Sequence, residues 1–193
     1  MNFNKMLHIF RSGVLLAVLL SCRCFAQQPA EGSPNLLKNP AFEKGIEGWS
    51  FQAWRDRVAK VVRDPAETHG GHACIRITQP SPTDSAFTQT VRLKPATHYR
   101  LSGWIKTDKV TKPEVLQQGQ KQRPGEEGAS LTILGGYEKT VSVVGTQNWT
   151  HVSMDFTTKD QPDIKLGPRL GHYGKLVTGT AWFADLLLIE VKE

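Results

Sequence analysis

The sequence predicts an all-β domain, an antiparallel sandwich or barrel of about eight to ten strands. Three observations carry this. Short apolar runs recur at close spacing with turn residues between them, as at Asp64-Pro65, His69-Gly70-Gly71, Lys94-Pro95, Gly135-Gly136 and Gln161-Pro162. Several runs alternate apolar and polar residues, the period of a strand with one buried and one wet face. No window sustains a 3.6-residue apolar period, so no amphipathic helix is expected.

The first 26 residues stand apart from this domain. Lys5 and Arg11 precede an apolar run at 14–20, and Cys24-Phe25-Ala26 offers a cleavage point. This is the layout of a secretory signal peptide, with an apolar run too short to span a bilayer. Leu19-Leu20-Ser21-Cys22 also resembles a bacterial lipobox, and the alternative product is a lipoprotein anchored to the membrane through Cys22. Either route exports the chain, to a secreted or periplasmic location or to the cell envelope. Residues 27–34 read as a polar linker and 35–193 as the domain. Lys5, Arg11 and Arg23 leave with the leader, so 21 basic side chains face 18 acidic ones, a net of +3 rather than +6. No Lys/Arg cluster with interleaved aromatics is present, and nucleic acid is not an expected partner. Cleavage after Ala26 leaves Cys74 as the one cysteine, which excludes a disulfide framework and a Cys-based zinc site.

The runs read as strands are 36–42, 49–54, 58–63, 72–79, 86–93, 98–107, 130–137, 149–158, 164–172 and 180–191. The first and last bring a carboxylate beside aromatic residues, Glu43 and Asp185. Strands from opposite ends of a chain often pair in sandwiches, and if these two meet, the carboxylates could share a hard cation. In 98–107, Tyr99, Leu101 and Ile105 share a face opposite Arg100, Ser102, Trp104 and Lys106. In 149–158 the apolar set is Val152, Met154 and Phe156. In 164–172, Ile164, Leu166 and Leu170 lie opposite Lys165 and Arg169. The segment 110–128 breaks the rhythm: it is polar, Gln-rich and acidic-basic at its end, and reads as a long solvated loop with one helical turn at 114–118.

Five segments, in order, carry a family resemblance. Asn35-Leu-Leu-Lys-Asn-Pro-Ala-Phe-Glu-Lys-Gly with Gly48-Trp49 resembles the opening of carbohydrate-binding modules of the family 4, 9 and 22 type. His69 to Ile77, the hairpin formed by Gln89–Pro95 and Tyr99–Lys106, Gly145 to Thr150, and Gly179 to Leu188 are similar to the elements that follow in that family. The resemblance covers about 35–192. It implies a galactose-binding-domain-like jelly roll that binds polysaccharide or oligosaccharide without catalysis on its concave sheet face, as a monomer. It also implies a structural calcium, held by Glu43, a backbone carbonyl at Gly71 and Asp185; the family often has two adjacent Asp where this chain has Ala184-Asp185. Gln89 matches a family glutamine that can face the cleft.

A pyranose packs its C–H face on an aromatic ring while fixed polar groups meet its hydroxyls. The candidate cleft is therefore Trp54, Arg55, Gln89, Trp104, Tyr137, Arg169 and Tyr173, with Trp104 and Arg169 on the polar sides of their strands. Trp49, Trp149 and Trp182 are expected in the core, and Cys74 as a small buried filler. His69 and His72 lie three apart without an evident third metal ligand. No zinc-protease, nucleophile-elbow, P-loop or dinucleotide motif occurs. Two rival readings remain: a cell-surface interaction module with the same fold, and a small glycoside hydrolase acting on polysaccharide. The hydrolase would need two facing carboxylates; Glu126-Glu127 reads as a solvated charge pair.

Overall fold

The structure is a computed structural model that describes residues 33–55, 58–111, 127–160 and 163–192. The expected leader with Cys22 and most of the polar insertion, including its expected helical turn, lie outside the described residues. Among the described residues nine strands are formed: β1 (Ser50–Ala53), β2 (Lys60–His69), β3 (His72–Thr83), β4 (Ser85–Arg92), β5 (His98–Thr111), β6 (Ala129–Leu134), β7 (Gly145–Thr157), β8 (Asp163–Leu170) and β9 (Val177–Glu190). They make two antiparallel sheets, a four-stranded one in the order β1-β4-β8-β6 and a five-stranded one in the order β2-β3-β9-β5-β7. The fold is thus an all-β antiparallel sandwich, and no helix occurs among the described residues.

The core lies between the sheets. The expected alternation holds in β5, where Tyr99, Leu101 and Ile105 are buried. Val152 and Phe156 of β7 and Leu166 and Leu170 of β8 join them. Phe42, Trp49 and Phe87 pack ring against ring, with centroids 5.4–6.2 Å apart. Each fully buried ring of this kind is worth roughly 1.5–3 kcal/mol of transfer free energy. Cys74 is buried as expected, and burial first, then the nearby Asp64 and Glu67 carboxylates, push its thiol up to about 12, so it is not a thiolate nucleophile.

The expected strand at 36–42 is a loop instead. Asn39 and Phe42 have φ of 48° and 55°, and the Asn39 amide donates to the carbonyls of Gly45 and Glu47 while its oxygen accepts from Lys44 N–H. An asparagine that organises its own turn wins over the strand propensity of Leu36-Leu37. The first and last segments of the domain do meet, but through Asn35: its side-chain amide donates to Leu186 O and accepts from Leu188 N–H at 2.8 and 3.1 Å.

In β9 a bulge sets the closing strand. Ser102 pairs with Leu187 and Trp104 with Ala184, so two residues, Asp185 and Leu186, face Gly103. Asp185 takes φ of 47° there. The extra residue reverses the inside–outside parity: Ala181 and Phe183 are buried before it, Leu186 and Leu188 after it.

Candidate functional site

Six of the seven candidate cleft residues fall on two opposite faces of the sandwich, and Gln89 is turned inward. Trp104 lies on the outer face of the five-stranded sheet, where His69 stacks on it at 4.4 Å and His151 meets it edge-on at 5.2 Å. Trp149 and Trp182 are on this outer face too, half-buried rather than in the core: Trp149 packs against His69, and the Trp182 indole donates to Asp64, with Lys106 over its ring. Trp49 is core as expected. Trp104 and Arg169 therefore do not share a site.

Gln89 is not a cleft residue either. Its amide nitrogen donates to the carbonyls of Lys38 and Gly48 and its oxygen accepts from Lys38 N–H. It pins the 38–48 loop onto β4, and a buried amide with three backbone partners has little left for a ligand.

The remaining candidates meet on the outer face of the four-stranded sheet. Arg169 of β8, a cleft candidate on the polar side of its strand, is only 1 % exposed. Its guanidinium binds Asp84 in a bidentate pair, Nε to Oδ1 at 2.9 Å and Nη2 to Oδ2 at 2.7 Å. It also lies over two aromatic faces, 4.9 Å from the Trp54 ring and 4.4 Å from that of Tyr173. A planar guanidinium both stacks and forks, which a lysine could not do. Tyr137 leans on Tyr173 with centroids 5.1 Å apart. Trp54, Tyr173 and Tyr137 remain 37, 42 and 82 % exposed; Arg55, next to Trp54, is exposed.

The local backbone explains this display. Tyr173 and Gly174, with φ of 45° and 78°, are the central residues of a tight turn closed by two hydrogen bonds between His172 and Lys175. Both central φ values are positive, as in a two-residue hairpin turn of the mirror-image type, so the phenol projects from the sheet end. Its hydroxyl accepts from Gly135 N–H at 2.9 Å. Asp84 occupies the link between β3 and β4. Its carbonyl accepts from Trp54 N–H, and its carboxylate accepts from Gly174 N–H as well as from Arg169. One residue thus ties three pieces of the ledge together, two through its carboxylate and one through its backbone carbonyl.

Asp84, Ser130 and His172 belong to this candidate site and were not among the candidates drawn from the sequence. Ser130 pairs with Arg169 across β6 and β8. Ser130 Oγ, Arg169 Nη1 and His172 Nε2 are buried and have no hydrogen-bond partner among the described residues. Such groups are costly to leave unmet, and ordered water or a polar ligand is what ordinarily meets them. The signals available were Asp84-Ser85 before a strand and His172-Tyr173-Gly174; neither states its partner.

His172 stays neutral at physiological pH. Burial first, then the charges of Arg169 and Lys139, lower it from its ordinary 6.5 to about 4, against the opposing pull of Asp84. Between pH 6.5 and 4 the unfolded chain takes a proton that the folded chain does not, so the contribution is present above 6.5 and lost as pH falls toward 4. Acidification through this window should cost on the order of 3 kcal/mol. Thermal melts across pH 7 to 4 should show a shallower slope in His172→Gln; an unchanged slope would contradict this environment.

The expected cation clasp is not assembled. Both Asp185 oxygens are taken by imidazoles, His69 Nδ1 at 2.5 Å and His72 Nδ1 at 2.6 Å, and Glu43 stands 3.9 Å from Arg63. Among the described residues no group of three or more His, Cys, Asp or Glu side chains is arranged to hold a metal. Calcium asks for six to eight oxygens, and the residues here do not fit it. Glu127, expected in a solvated pair, is buried with Lys175 Nζ 3.0 Å from its Oε1.

A β-sandwich with exposed aromatic rings held over a buried polar floor is the form of a sugar-binding module. The family described as "Carbohydrate binding domain" matches residues 34–166, and the chain belongs to that family. The fold is similar to that of a family 61 carbohydrate-binding module solved with β-1,4-galactotriose, at a TM-score of 0.52 and 20 % identity over 82 % of this chain and 99 % of that one. It is also similar to the CBM22-1 xylan-binding domain of Paenibacillus barcinonensis Xyn10C, at 0.54 and 13 % over 85 % of this chain and 99 % of that one. In sequence, the chain is 28 % identical over 164 residues to the tRNA3(Ser)-specific nuclease WapA of Bacillus spizizenii; the match takes in 81 % of this chain and 7 % of that protein.

Proposed function

We propose that the outer face of the four-stranded sheet binds polysaccharide or oligosaccharide without catalysis. The observation that carries this is the ledge of Trp54 and Tyr173, two partly exposed rings fixed by the buried Arg169–Asp84 pair. Rings held in place before the ligand arrives lose little entropy on binding, and their faces suit the C–H side of a pyranose. Tyr137 extends the aromatic surface, and the floor beneath supplies polar groups for hydroxyls. Asp84 is committed to Arg169, so it is poorly suited to serve as one of the two opposed carboxylates of a glycoside hydrolase. The leader at 1–26 supports export, which would place the protein where such polymers occur.

Affinity gel electrophoresis tests the reading. Xylan, named for one similar module, and β-1,4-galactan, the polymer of the β-1,4-galactotriose named for another, are the first to try, followed by glucans, mannans and acidic polysaccharides. At least one should retard the protein, and Trp54→Ala or Tyr173→Ala should weaken that binding by about tenfold or more, a loss of roughly 1.4 kcal/mol. Absence of retardation by every polymer, or unchanged binding in both variants, would sink it.

A further inference from the structure

The Gly135-Gly136 turn that leads into Tyr137 has two sides. On one side it belongs to the ledge: Gly135 N–H donates to the Tyr173 hydroxyl at 2.9 Å, and the Tyr137 ring leans on that of Tyr173. On the other side the same glycines line a cavity of about 390 Å³, within the usual range of small-ligand sites, about 300–1,000 Å³. The cavity lies where the two sheets part. Ile133 of β6 and Ile164 of β8 reach it from the four-stranded sheet, and Phe156 of β7 from the five-stranded one. These three make its apolar lining. Its charged lining is three carboxylates, Glu138, Asp160 and Asp163, and two ammonium groups, Lys159 and Lys165. Whereas Asp84 is committed to Arg169, no ion pair among the described residues engages Glu138 or Asp163. The Glu138 carboxylate lies back over Gly136, in the space that any other residue would fill with its Cβ.

We propose that this cavity takes a further neutral pyranose residue of the glycan held on the ledge. The proposal rests on the carbohydrate-binding reading of that ledge. A pyranose offers C–H groups to apolar side chains and hydroxyls that both donate and accept. The carboxylates accept from such hydroxyls and the ammonium groups donate to them, as charge-assisted hydrogen bonds. Other occupants suit the lining less well. A wholly apolar ligand would strip water from charged groups without replacing its hydrogen bonds. An ionic ligand of either sign would meet like charges beside opposite ones, because both signs line the cavity. The shared turn gives the direction: a chain stacked on Tyr173 and Tyr137 continues past Gly135 and Gly136 into the cavity. Glu138 is then a ligand-binding residue, and Gly136 a positioning residue that leaves room for its carboxylate.

The test is calorimetric titration of the purified protein with linear β-1,4-linked xylo-, galacto-, manno- and cello-oligosaccharides, from disaccharide to hexasaccharide, with affinity electrophoresis against the parent polymers. For a sugar that binds, affinity should rise about tenfold or more from disaccharide to hexasaccharide. Glu138→Ala should lose about tenfold on the hexasaccharide and leave the disaccharide unchanged. Gly136→Ala, which displaces the carboxylate without removing it, should lose roughly threefold on the hexasaccharide. Tyr173→Ala should weaken every length. Glu138 is exposed, so Glu138→Ala should melt within about 2 °C of the parent, and its binding loss is then not a folding defect. Where only a polymer binds, reduced retardation of Glu138→Ala carries the same reading. Equal affinity at every length, or unchanged hexasaccharide binding and polymer retardation in Glu138→Ala, would overturn this inference and leave the ledge reading standing. Binding to none of the oligosaccharides or polymers would overturn both.

Discussion

Replacing Arg169 by Met should destabilise the domain by about 3–5 kcal/mol, the usual consequence of leaving one partner of a buried ion pair alone. Asp84 would keep its buried position with only the Gly174 N–H and no opposing charge. In a domain of this size the melting temperature should fall by roughly 10 °C. The double variant Arg169→Met/Asp84→Leu should recover much of the loss, because replacing both members of a buried pair by apolar groups is often near neutral. Glycan binding should not return with stability. Trp54 and Tyr173 take their orientation from the guanidinium, and a methionine offers neither the planar charge nor the forked hydrogen bonds. Calorimetric melts and affinity electrophoresis on the same samples separate the two effects. A loss of less than about 1 kcal/mol in the single variant would mean that the pair is not buried as described.

Gly167→Ala should be nearly as damaging for a different reason. Gly167 has φ of 148°, and a Cβ there would stand 2.5 Å from the backbone oxygen of Phe87 and 2.9 Å from Cζ3 of Trp49. The first obstacle is the β4 backbone and the second a core indole, so neither can swing aside as a surface side chain would. Overpacking of this kind costs about 1–3 kcal/mol, and a backbone region open essentially to glycine adds a further 1–3 kcal/mol. A total near 3 kcal/mol is expected, read as a lower denaturant midpoint at unchanged slope. Because Gly167 lies opposite Thr132 of β6, beneath the same sheet face, glycan binding should weaken along with stability. A midpoint within experimental error of the parent would show that β4 and β8 are not so closely apposed.

How much of this was legible in the chain differs from element to element. The alternation of Tyr99, Leu101 and Ile105 against Arg100, Trp104 and Lys106 gave the correct two sides of β5. It could not say which outer face those polar-side residues would occupy relative to Arg169. Strand period reports inside against outside; sheet order reports which outside, and that depends on pairings between residues far apart in the chain. β4 pairs with β8 and β5 with β9, partners separated by roughly half of the domain. The same limit misled the reading of Trp149 and Trp182, whose size and motif context suggest core while their strands turn them outward.

At the site itself, Trp54, Tyr137, Arg169 and Tyr173 were legible as residue types suited to a sugar, and the structure brings those four together. Asp84, Ser130 and His172 were not, because their significance lies in what they touch. The sequence by itself determined the all-β class, the two-sided strands, the aromatic supply and the family, since periodicity and short motifs are local properties. Only the tertiary structure decided that Arg169 is buried between Asp84 and two rings, that Gln89 holds a loop, and that Asp185 belongs to two histidines. Those outcomes follow from burial and from the pairing of distant polar groups, and desolvation acts on a side chain only once the rest of the chain has closed over it.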